Sequence, residues 1–123
     1  MTKAKISTMT IDELADKFAE ISIATGRGAV LEEIGRFNRL YRQMDRVGHE
    51  LKRRNGDARI ALKRLYGHPN AHVRLNAAKE TLAVAPAEAR RALQALAASS
   101  DYPQSADAGL ALDFLKDGTY RPT

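Results

Sequence analysis

Four arginines, Arg39, Arg42, Arg46 and Arg53, follow one another at spacings of three, four and seven residues. On a helix these positions fall within about 60° of the circumference, so they would form one stripe. A guanidinium holds a carboxylate or a phosphate through a planar fork, and four on one face make a coherent docking surface for an anionic partner. Glu32, His49 and Glu50 flank the stripe. Pairing at i,i+4 with the glutamates gives the other account of it, a solvated helix face.

Other residue types that could do chemistry lack the arrangement it requires. His68 and His72 are four apart, a metal-binding spacing on one helix. His68, however, precedes Pro69 and lies outside the helix, and no third ligand is near it in sequence. A structural or solvent role is expected for both, and no metal. Asp12, Glu13 and Asp16, like Glu32 and Glu33, lie in or near first helical turns, where the helix dipole already favours acids. Ser99-Ser100 reads as a loop, and there is no cysteine to serve as nucleophile or zinc ligand. Gly26-Arg27-Gly28 is too short to cradle a phosphate and no strand leads into it. No catalytic residue and no cofactor is expected, so the chain does not read as an enzyme. Aromatics are only 6% of the residues, so few rings are free to stack on bases; Tyr41 falls on an apolar arc.

The 123 residues suit one domain with a modest core. Net charge is +5, and the excess is local: residues 27–64 hold eleven Lys/Arg against five acids, while the remainder carries nine against ten. No apolar run approaches the roughly 18 residues that span a bilayer, and the N-terminus lacks an apolar signal core. A cytoplasmic protein without membrane attachment is expected.

Six helices position these residues, and no segment alternates as a strand would. Thr10 is an N-cap candidate for a first helix over 9–24, with Ile11, Leu14, Phe18 and Ile21 on its buried face. Gly26 to Gly28 stop it. The second and longest helix, 30–54, sets Val30, Ile34, Phe37, Tyr41, Met44 and Leu51 on one arc, with Leu40 and Val47 extending it and the arginine stripe opposite. If this helix overhangs its neighbours, the apolar end at Val47 and Leu51 calls for a second copy or for cover by the N-terminal segment. Asp57 opens a short third helix to 66. Asn70 caps a fourth that runs to about 84, Pro86 starts a fifth with Leu93 and Leu96 inward, and Pro103 opens a sixth closed by Gly118. The tail to 123 reads as frayed.

The last two helical pairs align at an offset of 33: Leu82 falls on Leu115, Ala78 on Ala111 and His68 on Asp101. A period near 33 built of helix pairs points to a stacked helical array. Residues 68–82 resemble HEAT-repeat proteins, in which a turn with Asp and Pro precedes a helix that begins Val-Arg and continues with Ala-Ala and Leu. Pro69, Val73, Arg74, Ala77, Ala78 and Leu82 match, while His68 stands where the family has Asp. In the last unit Asp101 occupies the Asp position and Asp107 the Arg position, so Arg74 is left with either as its partner in the family's ladder between repeats. The layout also resembles a family of small bacterial HEAT-like proteins catalogued as a domain of unknown function.

What the resemblance implies is an all-α fold, an α-α superhelix of the HEAT/armadillo kind with three antiparallel hairpins, a right-handed curl and one concave face. The chain is then a single domain, 1–123, with a capping hairpin at 9–54, a repeat at 56–84 and a degenerate repeat at 86–117. The expected function is a non-catalytic protein-binding module, an adaptor or an inhibitor of the immunity kind, working as monomer or homodimer. The alternative is nucleic-acid binding, with the stripe contacting the phosphate backbone.

Overall fold

The computed structural model describes residues 5–25 and 34–123, without the side chains at 34, 36 and 37. The expected stop at Gly26–Gly28, the carboxylates Glu32 and Glu33, and Val30, Ile34 and Phe37 of the apolar arc lie outside this description. The described residues are all-helical, and no strand occurs among them. They form α1 (Ile11–Thr25), α2 (Ile34–Arg53), α3 (Ala71–Glu80), α4 (Pro86–Ala97) and α5 (Gln104–Asp117), with 3-10 segments at Ile6–Thr8 and Ala58–Gly67. The six expected helices are present, the third wound as 3-10. Two compact units divide the chain, Met1–Ala61 and Leu62–Thr123.

In the first unit α1 begins with a capping box. The Thr10 Oγ1 accepts from the Glu13 N–H at 3.1 Å, and a Glu13 Oε1 accepts from the Thr10 N–H at 2.9 Å. Leu14, Phe18 and Ile21 are then buried at the helical period. Full burial of Phe18 alone contributes about 1.5–3 kcal/mol. Ile11, expected on the same face, is 38% exposed, because it is the first helical residue, where the packed face only begins. α2 packs along α1 and contributes Met44, Val47 and Leu51 to the core, with Leu40 and Tyr41 half-buried at its margin. The Ser22 hydroxyl meets the Met44 sulfur across this contact at 3.5 Å. Val47 and Leu51 are fully buried, so the apolar overhang that would have called for a second copy is not there.

The turn at Asn55-Gly56-Asp57 takes positive φ at both Gly56 (74°) and Asp57 (55°), a conformation that Gly and Asp tolerate best. In the following 3-10 segment Arg59, Leu62 and Leu65 are buried at a spacing of three, the repeat at which side chains eclipse in that helix. Arg59 tolerates burial because Asp57 accepts from its Nε at 2.9 Å and its Nη2 at 2.7 Å.

In the second unit the Asn70 side chain accepts from the backbone N–H of His72 and Val73, which fixes the start of α3. α3 ends at Glu80, four residues short of the expected 84. Buried Thr81 accounts for the difference: its hydroxyl donates to the Ala77 carbonyl at 2.9 Å and lies 2.5 Å from the Tyr66 hydroxyl, and Pro86 disfavours helix at Ala85. α4 starts on Pro86 as expected, and α5 closes on left-handed Gly118 (φ 81°). Leu75, Ala78, Leu82, Leu93, Leu96, Ala108 and Ala111 form the core, with small residues letting α3, α4 and α5 approach one another. The tail is not frayed at Tyr120. Its N–H donates to the Phe114 carbonyl at 3.0 Å, and its ring packs on this core.

Candidate functional site

Burial of Leu51, Val47 and Met44 fixes the rotation of α2 and leaves Arg39, Arg42, Arg46 and Arg53 exposed on its other side. Arg54, one residue past the helix, turns back towards the N-terminal segment. Its Nη2 donates to the Met9 carbonyl at 2.8 Å, with longer contacts of 3.4 Å to those of Ile6 and Ser7, and its Nε reaches the Glu50 carboxylate at 2.7 Å. That tether lays Ile6 beside α2. A groove of about 520 Å³ results, lined by Ile6, Arg42, Asp45, Arg46, His49, Glu50 and Arg53.

The charges in this groove are unequal in what they leave available. Glu50 accepts from Arg54 and from Arg53, and the Arg54 hydrogen bond, more than any other contact, holds its carboxyl below the usual carboxylate range. Glu50 is therefore ionised and engaged, and Arg53 is partly neutralised. Arg42 and Arg46 have no ion pair with any described residue. The His49 Nδ1 donates to the Asp45 carbonyl at 2.7 Å, so Nε2 is the nitrogen left to accept. Two such guanidinium groups one helical turn apart, over an apolar patch at Ile6, can hold a pair of carboxylates or phosphates. Asp45 and Glu50 border the row with negative charge, one on each side.

Three of the four stripe arginines thus meet in one place. Arg39 stays outside the lining, with its Nη1 3.7 Å from where a Cβ on Gly35 would lie. The repeat-motif residues are elsewhere, in the second unit, and they build structure. Val73, Ala77, Ala78 and Leu82 are buried. The His68 Nδ1 accepts from the Asn70 N–H at 3.0 Å, the bond a carboxylate at that position would accept. Arg74 donates to the carbonyls of His68 (2.7 Å) and Pro69 (3.2 Å) and to Asp101 (2.7 Å), which settles its partner in favour of Asp101 over Asp107. The His68 Nδ1 is engaged, and no cluster of three His, Asp or Glu occurs among the described residues. Both ring nitrogens of His72 are buried without a partner, and burial lowers its pKa. A second cleft of about 410 Å³, beside Tyr66, Arg74, Glu88 and Arg91, has two of its three charged residues engaged, Glu88 with Lys63 and Arg74 with Asp101.

Residues 12–116 match the family described as a domain of unknown function (DUF2019). The chain belongs to that family. The DUF2019 region takes in every stripe arginine and the Arg74–Asp101 pair, but leaves out Ile6 and Tyr120. The crystal structure of the protein RPA1889 from Rhodopseudomonas palustris CGA009 is similar throughout: TM-score 0.90 at 45% identity, covering 98% of this chain and 100% of that one. No curated protein matches the chain.

Ile6, Asp45 and the tether through Arg54 were not singled out from the sequence. Ile6 and the arginines are some forty residues apart, and nothing in local spacing marks the carbonyls that Arg54 finds. The one signal available was the run of two arginines after Glu50, more charge than a helix end needs.

Proposed function

We propose that this DUF2019 protein is a non-catalytic protein-binding module, an adaptor or inhibitor of small bacterial HEAT-like type acting in the cytoplasm. It takes an acidic segment of its partner on the α2 groove. Support for the HEAT-like reading comes from Arg74, which links one predicted repeat to Asp101 at the start of the next, where the resemblance puts a ladder. Support for the binding reading comes from the groove. The single observation that carries it is that Arg42 and Arg46 form no ion pair among the described residues, beside engaged Glu50.

The same arginines also favour the second reading, a phosphate backbone. The carboxylates of Asp45 and Glu50 on either side of the row weigh against it, because a polyanion laid along the groove meets both. A protein segment can place two carboxylates and leave the flanking positions neutral. Fluorescence anisotropy with an acidic peptide and with a duplex DNA separates the two. The peptide is expected to bind more tightly than the duplex at physiological salt, with an affinity roughly tenfold lower after Arg42→Glu/Arg46→Glu. Tighter binding of the duplex, with the steep salt dependence of phosphate contacts, would overturn the protein reading.

A further inference from the structure

The second unit carries a surface with the opposite character. On α5, Asp107, Leu110, Asp113, Phe114 and Asp117 fall within about 120° of the helix circumference, and all five are exposed. Leu110 is 51% exposed and Phe114 40%, two large apolar side chains one turn apart with three carboxylates around them. Lys116 falls outside that arc, and Lys79 of α3 is the cation at its border, beside a groove of about 540 Å³ next to Phe114 and Tyr120. Exposed apolar pairs of this kind mark contact surfaces more often than single scattered residues do.

The two faces match in chemistry and in spacing. Asp113 and Asp117 are four residues apart on one helix, as Arg42 and Arg46 are on the other, so each pair rises about 6 Å along its axis. Phe114 lies to one side of the aspartates, on the flank where Leu110 also stands, where its ring can lie on a guanidinium face and on the aliphatic arginine stems. Leu110 then has Ile6 as an apolar counterpart in the α2 groove.

From this complementarity we infer that a second copy of the chain is a partner of the α2 groove, presenting the acidic, apolar face of its α5. The inference rests on the docking reading of that groove and supplies its occupant. Unlike patches meet, so the contact is heterologous: it closes where the geometry returns each copy to the other, and extends into a chain of copies otherwise. Exposed ion pairs are individually weak, so the association is concentration-dependent and salt-sensitive.

Charge reversal in the full-length protein tests it. One variant is Arg42→Glu/Arg46→Glu, the other Asp113→Arg/Asp117→Arg, each checked for wild-type helix content by circular dichroism. In sedimentation runs from about 10 µM to about 1 mM, a range in which weak complexes dissociate, the wild-type mass should climb above the 13.5 kDa of one chain. Each variant alone should stay at that mass, and an equimolar mixture should associate again, because each reversed face then finds its opposite. Leu110→Ser, which changes no charge, should weaken wild-type association several-fold, and Asp113→Arg alone serves if the double change does not fold. A monomeric wild type, a mixture that stays monomeric, or variants that associate as the wild type does would overturn the inference. Binding of an acidic peptide, measured alongside, separates the two failures. If it depends on Arg42 and Arg46 while the mixture stays monomeric, the second copy falls and the docking reading stands. If no peptide binds, or duplex DNA binds more tightly, both fall.

Discussion

Arg74 Nη2 lies 2.7 Å from Asp101 Oδ2, while its Nη1 donates to the His68 carbonyl at the same distance. One guanidinium thereby fastens the turn before α3 to the turn before α5. The two links differ in worth. Asp101 is half exposed, so the ion pair is screened and contributes about 0–1 kcal/mol, whereas loss of Arg74 also orphans the carbonyls of a part-buried turn. Asp101→Asn is expected to cost less than about 1 kcal/mol and Arg74→Ala about 1–3 kcal/mol. Urea unfolding of the two variants checks the order. Equal losses would show that the turn carbonyls contribute nothing.

The first unit depends on its capping box. Thr10→Ala leaves the Glu13 N–H without its side-chain acceptor and should cost about 1 kcal/mol. Thr10→Ser keeps the oxygen and should stay close to wild type. Thermal melts of both read the difference.

His72 gives the second unit a pH dependence. Burial lowers its pKa, only partly offset by Asp107, with Lys79 adding to the depression, so between the ordinary histidine value near 6.5 and its lower folded value the unfolded chain binds a proton that the folded chain refuses. Its contribution is intact above about pH 6.5 and is lost as the pH falls through that window. His72→Leu should flatten this slope. It should also leave neutral-pH stability unchanged or higher, since it removes two buried nitrogens that have no partner. Denaturant midpoints from pH 7.5 to 5 check both points, and a slope that survives His72→Leu would assign the dependence to other groups.

Much of this architecture is written in local spacing. The period of Leu14, Phe18 and Ile21 places α1, Asn70 and Pro86 mark where α3 and α4 begin, and the arginine stripe follows from its own arithmetic. What escaped depends on partners distant in sequence. Ile11 has the right period and the wrong place on its helix. Thr81 ends α3 early through a contact with Tyr66, and Tyr120 is held by carbonyls of two helices. Arg54 is a surface residue by type and a tether in fact, and it helps hold Ile6 beside the stripe to form a groove. Asp101 was one of two partners open to Arg74, and only packing chose between them.

Because of that tether, Arg54→Ala should loosen residues 5–9 without unfolding α1 and α2, whose core does not involve it. Hydrogen exchange should accelerate in that segment alone. Affinity for an acidic peptide should drop several-fold with Ile6 withdrawn from the groove, and unchanged affinity would mean that the arginines suffice.

The central claim, that the α2 groove docks a protein, is tested most directly by placing a photo-crosslinking residue at groove-lining position 49 in the native host, with a control at exposed Gln94. The expected product is a protease-sensitive, nuclease-resistant adduct at position 49, absent at 94 and lost when Arg42→Glu/Arg46→Glu is added. A nuclease-sensitive adduct at 49, or equal labelling at both positions, would contradict it.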